Sequence, residues 1–346
     1  MNLLLVKLLA CLVFGVIVVF TLYTLYSFSN KENGFSRDIK RGIVEQIAVK
    51  ESKHDGYYLA GMCDSGIFIA NYYLSEEIQR MNFGLEVVDS FKVHVSDSIK
   101  IAWKAVKIFV EYPDVYLVEG IEPSIITCRL PNLDCFSINY SAPKFESAVP
   151  VSKSSIVMRK YSTRVNRNIL AKKNAFESST YENESLLSIQ GGGNFSIDGM
   201  LRYDNGSNEL AYIYYYRNEY LCLDTNLNLV RIGKTIDTIR NAQIAIDTIK
   251  GENRVTFTKP PKFVNKLSCV SDGYLYINSA LKGDNESKSV FLDNSVVDVY
   301  SLAEGKYVLS FYLPNYKGHG LRDFKVHNKI LTGFFGNYLI EYGLSF

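Results

Sequence analysis

The sequence predicts an all-β chain: a β-propeller of six blades, preceded by one N-terminal transmembrane helix. Three observations lead there. Beyond residue 50 there is no amphipathic helix of convincing length, only short apolar runs broken by Gly, Asn, Asp and Pro. Those runs recur as hairpin-like meanders, spaced by roughly fifty-odd residues, a little above the usual propeller blade. Ahead of them, Leu8 to Phe28 carries no charge. That is about the length needed to cross a bilayer as a helix.

The N-terminal run reads MNLLLVKLLACLVFGVIVVFTLYTLYSF. A cleaved signal peptide has a shorter apolar core and a small-x-small cleavage site. No such site follows, so residues 1–29 are expected to stay as an uncleaved signal anchor, with residues 30–42 as linker and 43–346 as the propeller domain. Lys31, Arg37, Lys40 and Arg41 after the span pull toward a cytoplasmic body. A short N-terminus with the single Lys7 before the run is nevertheless the layout of a signal anchor. The basic residues that follow are interleaved with Glu32 and Asp38. The expected placement is therefore a membrane-anchored protein with its propeller outside the cytoplasm, on the periplasmic side.

The meanders are Gly56 to Phe83, Lys104 to Tyr140, Ser154 to Ile189, Asn205 to Asp237, Lys262 to Leu313 and Leu321 to Phe346. Ile99 to Val110 reads as strand because it is rich in β-branched residues. The last meander is one strand short, and Ile43 to Lys50 can complete it and close the ring. Glu86 to Val95 stands outside the six units and leaves seven blades as the alternative. A single small twisted sheet cannot cover both its faces. Packing blades around an axis covers them and leaves only short edges. In YIYYYR, Tyr212, Tyr214 and Tyr216 alternate with Ile213, Tyr215 and Arg217. A strand packed between two neighbouring blades needs that pattern, so these tyrosines read as core rather than as a sugar platform.

Asn294 to Gly343 follows a recurring scheme: a strand, a turn, a strand ending in Leu313-Pro314, a Gly-containing loop, then DFKV and NKI. In this it resembles the TolB-like six-bladed propeller proteins of Bacteroidota. The resemblance implies a propeller that is exported and lipid-anchored or membrane-anchored. It carries over no catalytic residue.

Lys+Arg 38 against Asp+Glu 36 leaves +2, no footprint for nucleic acid. Of the six cysteines, Cys11 lies in the anchor, and none of Cys63, Cys128, Cys135, Cys222 and Cys269 makes a CxxC. Cys128 and Cys135 flank a turn and can bridge as a disulfide in an exported protein; the other reading is small buried side chains. His54, His94, His319 and His327 have no metal-ligand spacing, so neither metal nor cofactor is expected. His319 sits in a Gly-flanked loop that could help line a propeller mouth, but a solvated loop histidine is the favoured reading. No GxSxG elbow and no phosphate loop occurs, and no catalytic residue can be assigned. The expected role is a binding or scaffold module for a protein, peptide or small ligand, with the membrane reached through the N-terminal helix. The alternatives are a propeller hydrolase or lyase acting on glycans or peptides, and a structural accessory subunit of a membrane complex.

Overall fold

A computed structural model describes residues 3–29, 33–96, 99, 101–138, 142–249 and 254–346. The chain opens with helix α1 (Leu3–Ser29) and continues almost entirely in strands. Strand β1 is Val44–Glu51. Blade one comprises β2 (Tyr57–Cys63), β3 (Gly66–Asn71), β4 (Glu77–Met81) and β5 (Val87–Lys92). Blade two comprises β6 (Lys107–Glu111), β7 (Asp114–Glu119), β8 (Ser124–Arg129) and β9 (Asp134–Ile138). Blade three is β10 (Ser147–Ser152), β11 (Ser155–Ser162), β12 (Arg167–Asn174) and β13 (Thr180–Asn183). Blade four is β14 (Gly199–Asp204), β15 (Glu209–Tyr214), β16 (Glu219–Asp224) and β17 (Leu229–Lys234). A separate hairpin, β18 (Ile246–Ile249) and β19 (Arg254–Phe257), precedes blade five. That blade holds β20 (Asn265–Ser271), β21 (Tyr274–Ser279), β22 (Asn294–Ser301) and β23 (Lys306–Pro314), with a short helix α2 (Lys288–Asp293) before β22. Blade six is β24 (Leu321–His327), β25 (Ile330–Phe335) and β26 (Tyr338–Leu344), completed by β1.

The ring therefore has six blades. Glu86 to Val95, the stretch that left a seventh open, supplies β5, the outer strand of blade one. Two inner strands lie upstream of the meanders read from sequence: β10 starts before Ser154, and β14 before Asn205. Pro150 within β10 hid that strand. A proline cannot donate to a ladder, but β10 is an edge strand and pairs only with β11. In Ile99 to Val110 only the end is strand, because a 3₁₀ turn at Trp103–Ala105 comes first.

The innermost strands β2, β6, β10, β14, β20 and β24 stand around a common axis, and neighbouring ones touch along most of the ring. Between blades the faces interlock. From β15, Leu210, Tyr212 and Tyr214 pack toward blade three, in one cluster with Val157 and Leu170. Ala211 and Ile213 on the opposite face meet Leu275, Ile277 and Tyr300 of blade five. Burying a side chain such as Ile213 is worth roughly 1.5–3 kcal/mol. Arg217 lies 3.5 Å over the Tyr214 ring and is held by Ser188 and Glu219, so it too belongs to the seam. Tight turns close the hairpins: Asp272 and Gly273, both at positive φ, form the two-residue turn between β20 and β21.

Ring closure is noncovalent. β1 pairs antiparallel with β26 from Val44↔Leu344 to Glu51↔Tyr338. Before β1, residues 33–42 run along blade five. Lys40 donates its amide to Ser310 and Ser310 donates to Asp38. Arg37 is sunk completely beneath this segment. Its Nε reaches Asp298 at 2.7 Å, and it also pairs with Glu286. Burial works against its charge, but the two carboxylates outweigh that and raise its pKa. The N-terminal segment thus joins blade five to blade six.

Helix α1 does not pack substantially on any strand. Its described side chains, Lys7 and those of residues 9–23, are all exposed, and nearly all of the latter are apolar. Among the described residues no helix is long and apolar enough to cross a membrane. The expected transmembrane helix is therefore shown only as an N-terminal helix.

Candidate functional site

The six inner strands enclose a cavity of about 310 Å³ along the propeller axis. Every blade contributes to its wall. Blade one brings Tyr58 and Tyr72, blade two Lys107, Phe109 and Glu111, and blade three Val149 and Pro150. Arg202 and Tyr203 come from blade four, Ser268 and Cys269 from blade five, and Arg322, Asp323 and Lys325 from blade six. An inner strand has a neighbour on one edge only, so its free edge and flanking side chains face the axis. A charged residue there avoids the dry interblade seam.

The charged groups are unequally satisfied. Arg322 is clamped: Nε donates to the Gly336 carbonyl at 2.6 Å, Nη1 to the Tyr57 carbonyl at 2.8 Å, and the guanidinium lies 4.5 Å over the Phe334 ring. Burial holds its pKa below the usual value, with Asp323 acting in the other direction. Arg202 donates from Nε to the Ser268 carbonyl and from Nη1 to the Leu201 carbonyl, both at 2.8 Å. Asp323 uses one carboxylate oxygen to accept the Leu59 amide at 2.8 Å. Lys107, Lys325 and Glu111 have no hydrogen-bond or ion-pair partner among the described residues.

Lys107 touches cavity solvent but is ringed by protein. Burial pushes its pKa down to about 8; Arg202 and Lys325 push the same way, and Asp323 opposes them. Its amine sits 5.4 Å from the Phe109 ring and 5.9 Å from that of Tyr58. Tyr58 stacks on Tyr72 with centroids 4.4 Å apart, and its hydroxyl accepts the Ile108 amide at 2.7 Å. Toward the other end of the axis, burial raises the pKa of Glu111, countered by Lys325.

Neither the cysteine nor the serine on the wall is activated as a nucleophile. The Cys269 thiol is buried, which raises its pKa, and its sulfur accepts the Val326 amide at 3.3 Å. Ser268 donates to the Met200 sulfur at 3.3 Å.

A second cavity of about 440 Å³ lies between blades three and four, beneath Ile246 and Val255 of the extra hairpin. Its charges are already paired, since Arg159 spans Glu146 at 2.5 Å and Asp198 at 2.7 Å. The axial cavity is the better candidate because its ammonium groups are unpaired.

His319 is not part of either wall. It lies on the exposed linker between β23 and β24, exchanges backbone hydrogen bonds with Tyr316, and sits against Gly336. Cys128 and Cys135 face each other across β8 and β9 and are joined as a disulfide, away from the axis. The cavity residues were not singled out from sequence. Lys107, Arg202 and Lys325 each lie on the short strand that opens its blade, but those strands carry other charges as well, so nothing in the linear sequence marks these three.

No family model and no curated protein matches the chain. Among solved structures, it is similar to a member of the DUF4221 family from Bacteroides vulgatus, at 10% identity over 88% of this chain and 99% of that one, with a TM-score of 0.49. A catalytically inactive virginiamycin B lyase from Staphylococcus aureus, solved with quinupristin, matches at 10% identity over 87% and 99%, with a TM-score of 0.48. The β-propeller domain of Cps50 (Swd1) from Myceliophteria thermophila matches at 8% identity over 86% and 100%, with a TM-score of 0.43. At these identities the likeness concerns fold alone.

Proposed function

We propose that this protein is a membrane-anchored, exported propeller of the TolB-like kind found in Bacteroidota, and that it works as a binding module whose ligand or partner docks at the axial cavity. The carrying observation is that cavity. All six blades contribute to it, and it presents unpaired charged side chains while its cysteine and serine are not activated. Fold alone does not choose between binder and enzyme. The chemistry of this wall favours binding over the hydrolase or lyase alternative.

Two further observations support the placement. Exposed side chains along α1 form an apolar surface on all sides, and such a helix requires a lipid or protein environment. The Cys128–Cys135 disulfide suits an oxidising compartment.

The test is retrieval of the ligand or partner from membranes with the full chain, followed by mass spectrometry, in parallel with a variant carrying Arg202→Ala and Lys325→Ala. A partner or small molecule enriched with the parent and lost with the variant supports the binding reading. Equal recovery by both chains removes the axial cavity from it.

A further inference from the structure

We propose that the axial cavity is a site for a small organic dianion, recognised through a carboxylate or phosphate group between Lys107, Arg202, Arg322 and Lys325. This deepens the binding reading and rests on it.

Charge is the first argument. Four cationic side chains line the cavity, and Glu111 and Asp323 are its carboxylates, so positive groups exceed negative ones by two. Like charges enclosed together are unfavourable unless a counter-charge joins them. Here the protein does not supply it: Lys107 and Lys325 have no hydrogen-bond or ion-pair partner among the described residues, and one oxygen of Asp323 is committed to the Leu59 amide.

Donor geometry is the second. Arg322 and Arg202 are each pinned by two backbone carbonyls. Pinning fixes the planar guanidinium, so its remaining N–H groups are pre-oriented for an oxyanion. The lysines add mobile point charges. Size is the third argument: about 310 Å³ admits a small molecule and no folded segment. The stacked Tyr58 and Tyr72 rings offer a flat wall for the body of such a ligand.

Protonation of Lys107 should gate the affinity. The groups around it are Tyr58 and Tyr72 from blade one, Arg202 from β14, and Arg322, Asp323 and Lys325 from β24. Cys269 lies on β20, and Glu111 is farther along its own strand near Asp204 and His327. From β10 come only Val149 and Pro150, which do not titrate. As pH rises through about 8 the lysine loses its charge and anion binding weakens.

Calorimetric titration of the detergent-solubilised full chain with succinate and with inorganic phosphate tests this. At least one should bind at neutral pH; the one that binds more tightly tells carboxylate from phosphate recognition. Lys107→Met should weaken it by about tenfold or more, and Lys107→Arg should keep its neutral-pH affinity at about pH 9.5, where the parent has weakened by a similar factor. Thermal unfolding of Lys107→Met should be unchanged or shifted upward, because a charge without a hydrogen-bond or ion-pair partner among the described residues has been removed from beside other cations. A fall in Tm would mark the lysine as structural and overturn the proposal. So would millimolar concentrations of both anions giving no heat, or equal affinity in parent and Lys107→Met. If both anions fail while the membrane retrieval still yields a partner lost with Arg202→Ala and Lys325→Ala, the dianion inference falls and the binding reading stands. Failure of both experiments removes both.

Discussion

Arg37 and Lys107 are two cations with opposite circumstances: Arg37 is buried, and Lys107 is exposed to the solvent of the axial cavity. Arg37 is matched by Asp298 and Glu286, which are further tied to Ser310 at 2.5 Å and Tyr312 at 2.5 Å. Replacing it by Ala strands two buried carboxylates. We expect Arg37→Ala to lower unfolding free energy by about 3–5 kcal/mol, read from the midpoint of urea unfolding. Lys107 is matched by nothing comparable. Its folded pKa is about 8 against an ordinary value of 10.5. Between those values the unfolded chain holds more protons than the folded one, so stability contributed through this group rises with pH across that window. Below pH 8 the charge weighs against the fold, by an amount reduced by the solvent it reaches in the cavity. Urea midpoints measured at about pH 7.5 and 9.5 should show this rise, and Lys107→Met should flatten it. An unchanged slope in the variant would refute the assignment.

Among elements, the seams between blades and the closing strand bear most of the organisation. At the seam of β2 and β6, an added Cβ on Gly61 would lie 2.0 Å from the Val110 carbonyl oxygen. The two inner strands come this close because no side chain separates them. Gly61→Ala should push them apart and lower stability by about 3 kcal/mol, measured by thermal or denaturant unfolding. The sequence showed Gly61 only as a glycine in an apolar run. Its role depends on Val110, which lies in another blade. Closure through β1 was readable, because the final meander lacked a strand and Ile43 to Lys50 matched it. The inner strands β10 and β14 were not. Pro150 interrupts one, and the other begins at Gly199 and carries Arg202, so neither looks like an uninterrupted apolar run. Both features are tolerated because these are the strands at the axis.

At the scale of the whole molecule, the predictions concern compartment and covalent state. If the body is exported, alkaline phosphatase fused after Phe346 should be active and a fluorescent protein fused there should stay dark; the reverse pattern would place the propeller in the cytoplasm. Intact mass measured after alkylation should show Cys128 and Cys135 unmodified without reductant. Replacing both by Ser should lower stability by about 2 kcal/mol, as expected for releasing a short loop. By itself the sequence determined an all-β ring of repeated hairpin-like meanders closed by its own N-terminal strand, because strand periodicity and turn chemistry are local and survive in a linear reading. Its separation of core tyrosines from surface also held, since alternation on β15 is a local property. Only the tertiary structure decided which charges meet at the axis. Lys107, Arg202 and Lys325 are far apart along the chain, and each looks like an ordinary solvent-facing residue of a short strand. Ring closure brings those strands side by side, and that enclosure makes their charges costly when unpaired and useful for holding an anion.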